Sequence, residues 1–290
     1  MSISSGKASF MIVRLPIPPI APPPAGGGPR AVAPELRLPG LTVVLPCFDE
    51  EPNVAQAVAE ALAAGSRCAR AVEVVVVDDG SRDRTRAAAT MLASLDSRVR
   101  VIVHAENRGY GAAVRSGIAA SRMPWVLLTD ADLQFDLEQL DAMLVAAREN
   151  EIVAGFRISR RDPWPRRAAA RAWNLLMRWT FAIPVADVDC AFKLVRGPAL
   201  RALPLRSDGA MISTELFTCA RLEGWRIAEV GVHHRPRRAG EATGANAAVI
   251  MRAFAERRAL AHALAAAQST QSGGRARRVA RGPQRHAIGR

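Results

Sequence analysis

Four short runs of apolar, often β-branched residues mark the first half of the chain: "LTVVLP" at 41–46, "VEVVVVDD" at 72–79, "RVRVIVH" at 98–104 and "PWVLLTD" at 124–130. Between them lie alanine-rich stretches with helical spacing at 53–64, 85–95 and 111–121. This alternation predicts βαβ units on a mostly parallel sheet, an α/β fold in which ligands bind at the carboxyl ends of the strands. The second half is less regular. A Trp/Arg-rich stretch at 166–181 precedes "DVDCAFKLVRG", a helix near 212–222, a strand at 227–233 and an amphipathic basic helix at 247–267.

The polar residues at the predicted strand ends carry the chemistry. Asp49 and Glu50 follow the first strand, Asp78 and Asp79 the second, and Asp130 and Asp132 the fourth. One acidic strand end could be a helix cap, but three on one edge make a site. Asp130 and Asp132 are alternate residues on extended chain, which point the same way about 7 Å apart and so can serve one cation. In "DDGSRDRT", Gly80 and Ser81 permit a tight turn. Ser81 or Asp83 can cap the following helix, leaving Asp78 and Asp79 to face the crevice.

Composition sets the boundaries. Residues 1–39 hold nine of the nineteen prolines, a composition that favours a disordered, extended arm. From residue 268 onward "QSTQSGGRARRVARGPQRHAIGR" carries six arginines and no acid, which predicts a second disordered, cationic tail. One catalytic domain at 40–267 remains. The net charge of +13 and pI of about 11.2 predict attraction to polyanions: nucleic acid, anionic lipid or phosphorylated substrates. Cys47, Cys68, Cys190 and Cys219 form no CxxC pair and lack a nearby His at zinc-ligand spacing, which argues against a metal knuckle or disulfide framework. The hydrophobic stretch at 10–13 is too short for a signal peptide, and no run approaches the roughly 18 apolar residues of a membrane span. The expected location is the cytoplasm.

"VVLPCFDEEPNV", "VVVVDDGSRDRT", "NRGYGAAVRSG" and "TDADLQ", in this order and spacing, resemble a family 2 inverting glycosyltransferase with the GT-A fold. Within that family the chain is similar to polyprenyl-phosphate sugar synthases, the dolichyl-phosphate mannose synthase group, over about residues 41–255. The resemblance implies a mostly parallel sheet with a Rossmann-like nucleotide-binding half. It also implies transfer of a hexose from a nucleotide-diphosphate sugar, of GDP-mannose or UDP-glucose type, to polyprenyl phosphate. Asp130, Asp132 and Gln134 match the family's metal and diphosphate motif, whose hard oxygen ligands suit Mg2+ or Mn2+. Nucleoside binding carries over to Pro46, Phe48, Glu50 and the Asp78–Asp79 pair. Phe48 and Asp49 stand where the family usually has Tyr and Asn, which removes a phenol hydroxyl but keeps a face for stacking on a base. Asn107 and Gly109 match a segment near the donor, before a helix N-terminus suited to phosphate charge; the residues alone fit a plain turn as well.

For the acceptor, the resemblance implies phosphate binding by Arg157, Arg166, Arg235, Arg237 and Arg238, the last three unranked because their spacing departs by about two residues from the family pattern. Asp187 and Asp189 match the segment that closes the active site, with Asp189 the favoured catalytic residue. Glu215 could partner an arginine or be a surface acid, and His233 and His234 read as packing residues. Trp164, Trp173, Trp179 and Phe181 interleave with arginines, which fits a core helix or one lying in a membrane interface. The implied partners are a nucleotide sugar, the lipid phosphate and the anionic inner face of the membrane, reached peripherally or through a membrane protein. Two rival readings are a same-fold enzyme with a small phosphorylated or glycan acceptor, and a nucleic-acid binder. Charge alone supports the second, since no recognisable nucleic-acid-binding motif is present.

Overall fold

The structure, a computed structural model, describes residues 13–14, 32–159, 164–183, 185–235, 255–258 and 260–261. The strands in chain order are β1 (Val13–Arg14), β2 (Leu41–Cys47), β3 (Val72–Asp78), β4 (Val99–Val103), β5 (Trp125–Leu128), β6 (Ile152–Ser159), β7 (Lys193–Arg196) and β8 (Ile227–His233). The helices are α1 (Glu51–Cys68), α2 (Thr85–Leu95), α3 (Tyr110–Ala120), α4 (Leu140–Ala147), α5 (Trp164–Phe181), α6 (Gly197–Ala202) and α7 (Ile212–Leu222). The eight strands among the described residues join one sheet in the order β1-β8-β6-β7-β5-β2-β3-β4. Every pairing is parallel except those of β7, which runs antiparallel to both β5 and β6. Reversing β7 turns its first residue, Lys193, toward the edge where the parallel strands end.

β2 shows why the first half reads as it does. Leu41, Val43, Val44 and Leu45 are all buried because helices cover both faces of the sheet, so no alternation is needed. Each such side chain contributes about 1.5–3 kcal/mol of burial. On one face Val54, Ala57, Val58 and Ala61 of α1 join Ala89 of α2 and Leu140, Met143 and Leu144 of α4. On the other, Val114 and Ile118 of α3 pack with Met177 and Phe181 of α5 and Ile212, Leu216 and Phe217 of α7. α3 lies so close to β2 that a Cβ on Gly117 would come within 2.2 Å of Val44 Cγ1.

The packed domain begins before residue 40, which corrects the boundary drawn from proline content. Pro34–Leu36 forms one 3-10 turn, and buried Leu38 exchanges backbone hydrogen bonds with Cys68 and Arg70 (2.8 and 2.9 Å). β1 adds Val13 and Arg14 beside Ala228 and Glu229 of β8. Proline disfavours ladder bonding only where it stands; Leu38 sits between Pro34 and Pro39 and still finds the core. The rest of the expected N-terminal arm, the cationic tail at 268–290 and most of the predicted helix at 247–267 lie outside the described residues. Within that last segment, 255–258 and 260–261 are helical and Leu260 is buried.

Candidate active site

The ends of β2 and β3 are laced together by reciprocal hydrogen bonds. The Asp49 N–H donates to Ser81 Oγ (3.1 Å), that of Glu50 to Thr85 Oγ1 (2.8 Å) and that of Glu51 to Asp83 Oδ2 (3.0 Å). In return the N–H groups of Arg82 and Arg84 donate to the carboxylates of Asp49 (2.7 Å) and Glu51 (3.1 Å). These bonds tie the loop before α1 to the loop before α2, and Asp83 meets the first N–H of both helices, those of Glu51 and Thr85. Asp83 also accepts from the N–H and hydroxyl of Thr85, and these bonds outweigh burial to hold its pKa below the usual carboxylate range. The carboxylate of Glu50, predicted at the nucleoside, accepts from the Asn53 amide at 2.6 Å and is buried. Pro46 and Phe48 remain half-exposed at the mouth of β2.

Asp78 is buried and accepts from the Ser81 N–H at 3.3 Å, in a turn where Gly80 has φ +71°. Asp79, also predicted at the nucleoside, spends both oxygens inside the protein. Its Oδ1 accepts from His104 Nδ1 (2.6 Å) and the Arg108 N–H (3.0 Å), and its Oδ2 from the Gly109 N–H (2.8 Å). His104 is buried, and its Nε2 pairs with Ser116 Oγ of α3 at 2.8 Å. Asp79 thus seats the loop carrying Asn107 and Gly109 and, through it, the first turn of α3. Tyr110, the chain's single tyrosine, opens that helix, and the Asp130 and Asp132 carboxylates act on its hydroxyl, which burial and these charges keep protonated.

Asp130 and Asp132 follow β5 at the centre of the edge. Withdrawal from water and the neighbouring Asp132 carboxylate raise the pKa of Asp130, while Tyr110, Lys193 and Arg157 pull it back. Its Oδ1 is buried without a hydrogen-bond partner. Asp132 is buried and accepts from the Gln134 N–H at 3.1 Å. Leu133 between them holds φ +60°, a left-handed conformation that costs a β-carbon residue about 1 kcal/mol. The amide of Gln134 donates to the Arg235 carbonyl at 3.2 Å.

Across from this pair, Arg157 of β6 grips Asp187 in a bidentate ion pair, Nε to Oδ2 at 2.6 Å and Nη2 to Oδ1 at 2.7 Å. Burial opposes the guanidinium charge, but the bonds to Asp187 prevail and raise its pKa. Asp189 lies beside them; the surrounding protein and Asp187 raise its pKa, and the Trp173 indole hydrogen-bonds it. Of the remaining acceptor candidates, Arg235 pairs with Asp136. The side chain of Arg166, and all of Arg237 and Arg238, lie outside the described residues. Glu215 is neither an arginine partner nor a surface acid. It is buried and accepts from the N–H groups of Arg206 (3.0 Å) and Ser207 (2.8 Å), fixing the loop whose Asp208 carbonyl accepts from Ala112 of α3. His234 packs edge-on to Phe135 with centroids 5.2 Å apart, as a packing residue should.

A divalent cation fits this donor set in a limited way. Asp130 presents a buried, unsatisfied carboxylate oxygen. No group of three or more His, Cys, Asp or Glu residues poised to hold a metal occurs among the described residues. A two-carboxylate site completed by water and diphosphate oxygens suits Mg2+ or Mn2+ and excludes a closed structural zinc site.

A reversed strand set into a mostly parallel sheet, with an acidic pair at the junction beside a Rossmann-like half, defines a GT-A domain. The chain belongs to glycosyl transferase family 2, whose family model matches residues 42–200. It is 30% identical over 206 residues to undecaprenyl-phosphate 4-deoxy-4-formamido-L-arabinose transferase of Edwardsiella ictaluri, covering 69% of this chain and 62% of that one. The protein of that name from Pseudomonas paraeruginosa is 32% identical over 205 residues, covering 69% and 59%. The chain thus spans about three-fifths of the length of these relatives. Among solved structures, the UDP complex of glucosyl-3-phosphoglycerate synthase from Mycobacterium tuberculosis superposes with a TM-score of 0.57 at 19% identity, covering 77% of this chain and 80% of that one. The same enzyme with Mn2+, UDP-glucose and glycerol 3-phosphate gives 0.51 at 21%, covering 68% and 73%.

Sequence reasoning missed Tyr110, His104, Trp173 and Lys193 as parts of this site. Two of them left a compositional signal: Tyr110 is the only tyrosine, and among forty Lys and Arg residues only Lys7 and Lys193 are lysines.

Proposed function

We propose that this protein is an inverting glycosyltransferase that moves a sugar from a nucleotide-diphosphate donor to polyprenyl phosphate. One observation carries the reading: the unsatisfied Asp130 oxygen beside Asp132, at the edge shared by the nucleotide-type half and the Arg157 wall. The named relatives, at about 30% identity, act on undecaprenyl phosphate, which supports the lipid acceptor. The fold neighbour's complexes with UDP-glucose favour a uridine donor over a guanosine one.

In this reading the base stacks at Pro46 and Phe48, near Asp78, and the loop seated by Asp79 presents Asn107 and Gly109 to the diphosphate. Mg2+ or Mn2+ held by Asp130 and Asp132 would neutralise charge on the leaving diphosphate. Gln134, tied to the Arg235 carbonyl, braces Asp132 through its backbone N–H. Arg157, oriented by Asp187, receives the acceptor phosphate with Arg166 and the arginines at 235, 237 and 238. The phosphate oxygen attacks the anomeric carbon as the bond to the donor's β-phosphate oxygen breaks, its electron pair leaving with the diphosphate. A phosphate dianion is already a nucleophile, so the site needs cations to position it more than a strong base. Asp189 orients the acceptor or the sugar.

The acceptor also bears on location. No helix among the described residues is long and apolar enough to cross a membrane. Leu175 and Trp179, one turn apart on α5, are 66% and 84% exposed and flanked by exposed Arg171 and Arg178. This apolar stripe with basic borders suits the interfacial region of an anionic bilayer and a peripheral position on its inner face.

The test is a radiolabelled nucleotide-sugar screen with purified protein and undecaprenyl phosphate, scored for label extracted into organic solvent. Label in the organic phase is the expected result. Label appearing only in aqueous product with a small phosphorylated acceptor such as 3-phosphoglycerate would move the assignment to a soluble acceptor, and no transfer with any donor would sink the reading.

A further inference from the structure

The chain uses arginine almost everywhere a cation is needed, yet it keeps a lysine at 193. That lysine is only 2% exposed and ranks among the largest fully buried side chains. As the first residue of reversed β7 it stands opposite Leu128, two residues before Asp130. Its Nζ donates to the Cys190 carbonyl and to Ser213 Oγ (3.1 Å), and lies 5.5 Å from the centroid of the Phe217 ring. Two acceptors and a ring face together favour a compact ammonium with rotatable donors over a planar guanidinium, which is the physical reason for lysine here. Burial lowers the pKa of Lys193, and Cys190, Asp189, Asp187 and Asp130 oppose that loss and favour its ammonium form. Arg157, another cation at this wall, is paired with Asp187.

We propose that Lys193 is a positioning residue: a buried counter-ion beneath the carboxylates of the crevice, whose field helps hold the donor's diphosphate and moderates the affinity of the acidic pair for a divalent cation. The inference rests on the nucleotide-sugar reading above and adds a residue that meets neither substrate nor metal. Its signature is a pair of changes with opposite sign. A fixed positive charge attracts an anionic diphosphate and repels a cation, so removing it weakens one ligand and strengthens the other. General loss of structure would weaken both.

The experiment compares the wild-type chain with Lys193→Met and Lys193→Arg by calorimetric titration of UDP without metal, and of Mn2+ alone, at pH 8. Near-ultraviolet circular dichroism checks the fold. Lys193→Met keeps the volume but takes a positive charge from beside buried carboxylates, which costs stability, so its affinities are read only where the near-ultraviolet spectrum matches the wild type, and Lys193→Arg supplies the charge-keeping comparison. UDP affinity should fall about tenfold while Mn2+ binding tightens by roughly threefold or more, changes of the size one unit charge exerts over several ångströms at an effective dielectric near 20. Lys193→Arg, which keeps the charge, should recover most of the UDP affinity. Should Lys193→Met leave both affinities unchanged, or weaken both alike, the proposal for Lys193 is overturned. Wild-type protein that bound neither UDP nor Mn2+ would instead overturn the nucleotide-sugar reading beneath it.

Discussion

Asp79→Asn separates two accounts of one carboxylate. The sequence motif puts Asp79 at the nucleoside, whereas the structure gives its oxygens to His104, Arg108 and Gly109. Asparagine offers one acceptor where aspartate has two. With its oxygen toward His104 and Arg108, its NH2 group faces the Gly109 N–H, so one charge-assisted bond is lost and two donors meet. A charge-assisted bond is worth about 1.5–3 kcal/mol and a stranded donor costs a similar amount, so the substitution should cost roughly 2–4 kcal/mol, less where water reaches the loop. For a domain of this size that lowers the melting temperature by roughly 5–15 °C. The damage should be local first: amide hydrogen exchange should accelerate at 108–113, where the loop joins α3, before it does in β2 or β3. UDP affinity and transfer should decline as Tyr110 loses its seat beside Asp130. An unchanged melting temperature and unchanged exchange, with UDP binding abolished, would refute this reasoning and return Asp79 to the nucleoside.

Asp132→Ala should abolish transfer by at least about a thousandfold while leaving the circular dichroism spectrum intact, and chelation of divalent ions should do the same to the wild type; near-normal turnover in either case would show the acidic pair misassigned. Arg157→Ala removes the bidentate partner of Asp187 and should destabilise the domain by about 3–5 kcal/mol in denaturant titrations, the usual cost of breaking a largely buried pair. The same variant should raise the KM for lipid phosphate much more than that for the donor, and the reverse ranking would make Arg157 a donor residue. Trp179→Glu should weaken sedimentation with anionic vesicles at high salt, and deletion of 268–290 at low salt, because one contributes buried apolar area and the other screened charge. Equal effects in both salt regimes would argue against that division.

How much of this was legible in the sequence follows from what is local and what is not. The apolar runs determined the strands of the first half and the parallel sense of their sheet, because burial on both faces leaves a continuous hydrophobic trace. α7 and β8 also fall where the pattern put them, at Ile212–Leu222 and Ile227–His233. The edge bearing Asp78, Asp130 and Asp132 followed, since in such a sheet the carboxyl ends share one side. What each polar residue does there was decided only by tertiary structure. Glu50 and Asp79 carry motif positions, yet Asn53 and the 108–109 loop take their oxygens. Glu215 caps a loop eight or nine residues upstream. Arg157 finds Asp187 thirty residues later, and Lys193 reaches the edge only because β7 runs backward between β5 and β6. Periodicity records which way a side chain points relative to its own backbone, a local property. The partners of a charged group are set by which distant donors and acceptors the fold brings within about 3 Å, and no spacing along the chain encodes that.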